Sequence, residues 1–340
     1  KDYFVAWDDG SAAQHQVFGA RIDLTGSVLD GTGVPIAPGV GADQRHPSCA
    51  NNGRELLVAW TDSRDGGQEI FGARLDLDAG RLDGTGFAVT ASPGADFAAV
   101  ASDGQGFLVA WSDPNISSFP LIRGTRLTSA GQTLDLRDGG LAIGTRCGAE
   151  SLPALAVYMG EYAALWEDHC TTLSRIFSDR VINDGGLVDQ PNFDLATIGA
   201  SFAPAATSSG SEYFLAWANG PASGPADIYF AWYLNTSPAP GFDHHESFFL
   251  AQTPQDEEEV AIASNAQNVV LVGYASRLGT EPWRIRARWV NGPGIDAGSV
   301  DAGSCAGVAP PPSNNCSAVG TPIGLGALLF LSARGRRRSR

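Results

Sequence analysis

The chain has 340 residues, 42 of them glycine and 20 proline, a level of turn formers that excludes an all-helical fold and suits many short strands. Basic residues number 22 against 37 acidic, and five arginines lie in the last seven positions, so residues 1–333 carry 17 basic against 37 acidic groups, a net of −20. A body so acidic repels phosphate backbones and anionic lipid, which excludes nucleic acid as a partner and leaves the membrane to the tail.

The chain begins at Lys1 in the middle of a strand pattern, with its single methionine at Met159, and reads as an N-terminally truncated piece of a longer protein. The missing leader therefore says nothing about export. From there six segments share one pattern, an apolar run ending in an aromatic with a short polar residue two positions on. They are Phe4–Trp7 with Asp9, Leu57–Trp60 with Asp62, Leu108–Trp111 with Asp113, Ala163–Trp166 with Asp168, Phe214–Trp217 with Asn219, and Leu271–Tyr274 with Ser276. The aromatics Trp7, Trp60, Trp111, Trp166, Trp217 and Tyr274 are spaced 53, 51, 55, 51 and 57 apart. A second marker follows each by 14 or 15 residues: Arg21, Arg74, Arg126, Arg180, Trp232 and Arg288.

Around the second marker the chain alternates as a half-buried strand does, in Val17–Asp23 and Ile70–Asp76. Turn-rich stretches follow, Asp30-Gly31-Thr32-Gly33 and Asp83-Gly84-Thr85-Gly86, then a short strand such as Phe87–Thr90 and another such as Ala98–Ala101. About 50 residues with four antiparallel strands and a fixed aromatic describe one blade of a β-propeller. One blade cannot cover both its faces, so the repeated aromatics are expected to pack between neighbouring blades. The expected fold is all-β, a propeller of about six four-stranded blades. The first begins at its second strand and the pattern of the sixth ends after its third, near Val290, so the terminal blades are expected to be incomplete.

Each repeated polar residue has a structural reading, with the aspartate two after the aromatic capping a turn and pairing with the arginine 14 or 15 on. Asn219 opposite Trp232 fits a lost pair, while Ser276 opposite Arg288 does not. Loops sort onto two rims, one shared by the loops after the second strand and those between blades. On that rim Asp62–Glu69 lacks the alternating aspartates of a calcium loop. On the other, Asp243-His244-His245-Glu246 mixes histidine with carboxylates, yet adjacent histidines on an extended segment point apart. Asp256–Glu259 reads as a solvated charge run before an inner strand. No nucleophile elbow, phosphate loop, dinucleotide fingerprint or zinc-protease helix motif occurs, so no catalytic, cofactor or metal residue is assigned. Carboxylate pairs for glycoside hydrolysis are a property of the fold, and nothing in the sequence selects one. Cys147 and Cys170 fall on loops of one rim of the fourth repeat and are expected to form a disulfide; Cys49 is expected to be a buried thiol on an inner strand, and Cys305 has no evident partner.

Residues 1–292 thus form the repeat domain, and the composition then changes. Residues 293–315, with two Asp-Ala-Gly-Ser-type repeats and Pro310-Pro311-Pro312, read as a disordered linker. Residues 316–340 open with Cys316-Ser317, continue through Ile323–Leu331 and end in Arg334, Arg336, Arg337, Arg338 and Arg340. A helix over Val319–Ala333 is about 22 Å long, short of an average hydrocarbon core of about 30 Å. It suits a transient stop for an exported chain, with the arginines kept on the cytoplasmic side. The order of cysteine, short apolar helix and terminal arginines resembles the MYXO-CTERM sorting tail of myxobacterial surface proteins. That resemblance implies removal of the helix and arginines, with Cys316 as the processing and lipidation point by export machinery. The body resembles the Trp-containing repeats of large secreted proteins of such bacteria, a likeness with no assigned activity. The expected molecule is an exported, surface-anchored, non-catalytic propeller that binds a glycan or a surface protein. The alternative is a secreted polysaccharide or peptide hydrolase with its site in the channel or upstream.

Overall fold

The computed structural model describes residues 2–300 apart from 11–13, 24, 116, 146–147, 171, 196–198, 210–211, 222–224, 235–242, 265–268, 282 and 292–294. They form a β-propeller of six antiparallel blades. The first holds β1 (Tyr3–Asp9), β2 (Gln16–Ile22) and β3 (Val34–Pro35). The second holds β4 (Gln44–Asn51), β5 (Glu55–Asp62), β6 (Glu69–Asp76) and β7 (Phe87–Ala88). The third is β8 (Asp96–Ser102), β9 (Phe107–Asp113), β10 (Leu121–Leu127) and β11 (Leu141–Ala142). The fourth is β12 (Glu150–Tyr158), β13 (Glu161–Asp168), β14 (Arg175–Val181) and β15 (Phe193–Asp194). The fifth is β16 (Ala200–Ser209), β17 (Glu212–Gly220), β18 (Asp227–Leu234) and β19 (Asp243–Ala251). The sixth is β20 (Asp256–Ser264), β21 (Val269–Arg277), β22 (Arg284–Asn291) and β23 (Ile295–Val300).

The first blade starts at its second strand, as the repeat register requires. The sixth does not stop near Val290: β23 pairs with β22 through Asn291↔Ile295, Val290↔Asp296 and Ala287↔Val300. An outer strand needs only backbone partners, so the small polar residues that read as linker from 293 onward add an edge to the ladder. Residues 301–340, which include Cys305, Cys316 and the arginine block, lie outside the described residues.

Five hydrophobic clusters hold the blades together, and each spans one boundary between consecutive blades. On β5 the residues alternate: Leu56, Val58 and Trp60 pack toward the first blade, Leu57 toward the third, and Ala59 with it. Both faces are covered, which is why the strand reads as a continuous apolar run rather than an alternating one. Trp60, Trp111, Trp166, Trp217 and Tyr274 each sit in the cluster shared with the preceding blade. The first three are 0% exposed. Trp7, on β1, is half-buried and stacks on Phe18 at 6.1 Å. The rings also explain one glycine of each turn. At Gly86 (φ +88°) an added Cβ would lie 2.8 Å from the Trp60 ring, and Gly33 (φ +96°) stands against Trp7 in the same way, so both the backbone and the ring forbid a side chain.

The polar repeat is wired differently from the expectation. The arginines of the first four blades each take the aspartate nine positions later: Arg21–Asp30 at 2.8 Å, Arg74–Asp83 at 2.7 Å, Arg126–Asp135 at 2.6 Å and Arg180–Asp189 at 2.9 Å. The fork is bidentate through Nε and Nη2, and the same aspartate accepts the arginine's own N–H. The remaining Nη1 crosses to the next blade, from Arg21 to Asp78 at 2.8 Å, from Arg74 to the Ser129 carbonyl at 3.0 Å, and from Arg126 to the Asn183 carbonyl. The aspartate two after the aromatic does cap its turn, accepting the N–H of Arg64 in the second blade and of Asn115 in the third. Its other oxygen takes the indole N–H, Trp60 Nε1 to Asp62 at 2.8 Å and Trp111 Nε1 to Asp113 at 3.3 Å. The Asn219–Trp232 coincidence is therefore not a lost pair; Trp232 is buried against Phe230 and Phe248.

Candidate functional site: the channel mouth

The inner strands β4, β8, β12, β16 and β20 share a defect. Each slips register against its partner at the same place: between Arg45 and Ser48, Asp96 and Ala99, Ser151 and Ala154, Phe202 and Ala205, and Glu258 and Ala261. At each bulge one non-glycine residue has left-handed backbone: His46 (φ 53°), Phe97 (58°), Leu152 (54°), Ala203 (52°) and Glu259 (54°). Such a conformation costs roughly 1–2 kcal/mol at each residue, and a bulge re-aims the side chain it carries. The five residues thus form a ring at one mouth of the central channel, on the rim of the Trp-x-Asp loops. They line a cavity of about 710 Å³ together with Tyr3, Pro47, Pro153, Phe202, Pro204 and Glu258. Its described lining includes aromatic and proline faces, one histidine and two glutamates, and no lysine or arginine.

The bulges are held from the blade before. The residue between the aromatic and its aspartate does this work: Thr61 Oγ1 donates to Asp96 at 2.7 Å, Ser112 Oγ to the Glu150 carbonyl at 2.7 Å, and Glu167 Oε2 accepts the Ala203 N–H at 3.3 Å. His46 Nδ1 lies 2.8 Å from Asp96 Oδ1, and its ring stacks on Phe97 at 4.5 Å. Burial opposes ionisation of Asp96. The hydrogen bonds and charge of His46, with Thr61 and the Phe97 N–H, outweigh it and hold the carboxyl below the ordinary range.

The residues singled out in the sequence fall mostly elsewhere. The six aromatics belong to blade packing. Asp62 is consumed by Trp60 and by Arg64 Nη2 at 2.6 Å, with the Arg64 guanidinium 4.0 Å above the Phe71 ring. Asp243–Glu246 is not a rim loop but the start of β19, paired with β18 through Leu234↔Asp243 and Trp232↔Glu246. Asp256–Glu259 is no solvated run: it opens β20, with Glu257 fully buried and Glu258 and Glu259 on the channel. Glu257 fills the slot of Gln44 and Glu150, whose burial the repeat dictates regardless of local charge. Cys49 is partly buried on β4 and lines the channel; burial pushes its thiol up to about 12. The Cys147–Cys170 pairing lies outside the described residues because Cys147 does, although Gly148 abuts the Cys170 backbone.

No protein-family model and no curated protein matches the chain. Solved structures with a similar fold include a thermostable family-43 glycoside hydrolase, 10% identical with a TM-score of 0.47 over 81% of this chain and 97% of that one. An α-L-arabinofuranosidase from Clostridium thermocellum is 14% identical, with a TM-score of 0.47 over 76% of this chain and 94% of its own. The Penicillium chrysogenum α-L-arabinanase in complex with arabinobiose is 12% identical, with a TM-score of 0.49 over 74% and 83%. At these identities the likeness is one of fold alone.

The bulge ring was missed in the sequence reading. The one available signal was the Pro47, Pro153 and Pro204 triplet, each directly after the bulged residue, which marks where the inner strand cannot keep its ladder.

Proposed function

We propose that this propeller binds a carbohydrate at the bulge-ringed mouth of its channel and leaves the glycosidic bond intact. The carrying observation is the lining: Tyr3, Phe97 and Phe202 bring aromatic rings to it, and His46, Glu258 and Glu259 stand among them with polar groups. A sugar presents apolar C–H faces and hydroxyls that need acceptors, and this mixture answers both. Glycoside hydrolysis needs a protonated carboxyl facing an ionised one. Two carboxyls that burial raises, Asp179 (to about 6) and Glu257, lie off the cavity. Titration of a panel of neutral oligosaccharides by calorimetry checks the reading. Phe97→Ala and Glu258→Gln should each weaken binding by about tenfold or more, near 1.4 kcal/mol. Release of shortened sugars by the wild-type protein would favour the hydrolase reading instead.

The same reading places the propeller outside the cell, held by residues 316–340. Cys316 followed by a short apolar stretch and arginines supports it. Mature surface protein should end near Cys316 and carry lipid there, and Cys316→Ser should stay unprocessed or escape to the medium. An intact mass that still includes Arg340 counts against the anchor.

A further inference from the structure

On the same rim as the channel mouth, the sixth blade turns an aromatic side chain toward solvent. Trp60, Trp111, Trp166, Trp217 and Trp232 are at most 1% exposed, whereas Trp283, in the loop between β21 and β22, is 42% exposed. Leu278, in the same loop, is 48% exposed. Burying an indole is among the larger gains open to a fold, and leaving one in water forgoes it. The ring is nevertheless held in place: the Arg277 guanidinium lies over it, 4.3 Å from its centroid. The second blade sets Arg64 over Phe71 in the same manner, but there the ring is 5% exposed and belongs to a blade boundary. In the sixth blade the cation is kept and the burial is not.

Arg277 also ties this loop to the mouth. It pairs with Asp256 at the start of β20, with Nη2 3.6 Å from Asp256 Oδ2. Asp256 stands two residues, about 7 Å along the strand, before Glu258 of the cavity lining. Arg284 opens β22 next to Trp283; its side chain is 44% exposed, and its contact with Glu281 is 3.7 Å, longer than a hydrogen bond. Its guanidinium therefore keeps N–H donors for another acceptor.

We propose that Trp283 and Arg284 form a second sugar subsite, on which a neutral oligosaccharide held at the channel mouth lays a further unit. The inference rests on the carbohydrate reading of the mouth and narrows its ligand to a chain of several neutral sugars. The mouth offers carboxylate acceptors to hydroxyls; this loop offers donors beside an indole that covers the apolar C–H face of a pyranose. The net charge of −20 on residues 1–333 disfavours polyanionic chains. Because both subsites engage one ligand, the second contact is intramolecular and adds affinity only for chains long enough to reach it.

The test titrates the full chain by calorimetry with gluco-, xylo- and manno-oligosaccharides, from disaccharide to hexasaccharide. Wild-type affinity should rise by about tenfold or more with length. Trp283→Ala should abolish that rise, leave disaccharide binding unchanged and keep the melting temperature, while Trp283→Tyr should retain most of the rise. Acrylamide quenching of tryptophan emission gives a second readout: the hexasaccharide should shield a component that the disaccharide leaves open and that Trp283→Tyr lacks, which a merely structural ring would not show. The same length dependence in Trp283→Ala as in wild type, or none in wild type, would overturn the proposal. The two subsites fail separately. If Phe97→Ala weakens binding and Trp283→Ala does not, the second subsite alone falls; if Trp283→Ala weakens binding and Phe97→Ala does not, the mouth falls. Absence of binding by every oligomer removes both.

Discussion

Asp179 shows how one carboxyl is forced against its preference. It lies on β14 beside the Arg180–Asp189 pair; burial pushes it up to about 6, the nearby Asp189 charge adds to that, and hydrogen bonds from the Asp189 N–H, Gln190 and Asn192 only partly offset it. Its folded value lies above that of an unfolded chain, near 3.9, so its contribution is complete below about pH 4 and is lost as pH rises through 6. Asp179→Asn should therefore gain on the wild type across that window by roughly 2 kcal/mol, read as the difference in urea midpoints at pH 4 and pH 7. Any constant loss from an amide meeting Gln190 and Asn192 shifts the offset and leaves the slope. Asp30 and Asp135 work with the opposite sign. The Arg21 hydrogen bond lowers Asp30, and the Arg126 contacts lower Asp135 against burial, so their support is present above the ordinary carboxylate range and lost as pH falls through it.

At the scale of the strand, the bulge and the indole make separate demands. Ala203 sits in left-handed backbone with no functional side chain, which isolates the strain. Ala203→Gly should be neutral or stabilising, whereas Ala205→Gly, in regular pairing with Ala216 on the same strand, should cost about 0.5–1 kcal/mol. Equal costs in chemical denaturation would show that the bulge stores no strain. Trp111→Ala should cost about 3–5 kcal/mol because its cavity opens between two blades. Trp7→Ala should cost clearly less, since its ring is only half-buried; denaturant midpoints of the two variants decide the order. The blade register, the inter-blade indoles and the turn caps were all legible, because a period near 50 residues repeats them and repetition separates packing from chance. The arginine partner was not: Asp30, Asp83, Asp135 and Asp189 recur just as faithfully, but proximity to the aromatic drew the pairing to the wrong aspartate. The mouth was hidden for the opposite reason. His46, Phe97, Leu152, Ala203 and Glu259 share a backbone conformation and no side-chain chemistry, so no pattern of residue types betrays them.

Over the whole molecule, loops of the fourth blade's Trp-x-Asp rim converge on Cys170. Gly148 packs against the Cys170 backbone, and the Cys170 N–H is held by Asp168 at 2.6 Å. Peptide mapping of exported, non-reduced protein should recover Cys147 joined to Cys170, and its reduction should lower stability by about 2–4 kcal/mol. Two free thiols would remove the bond.

The arginines that reach from one blade to the next give the ring a direction of travel. Arg21 engages the second blade, Arg74 the third and Arg126 the fourth, while in the fifth Trp232 stands in the arginine's place with its ring against Phe248. Tension applied along the chain would thus meet a guanidinium stop at each of the first three blade boundaries, whereas the boundary between the fifth and sixth is held by the Thr207 and Ser264 hydroxyls, 3.1 Å apart, and by the Ala226 N–H on Asp256 at 3.1 Å. The ring is therefore stitched differently around its circumference, by arginine reach at the first three boundaries and by hydroxyl and backbone groups at the fifth.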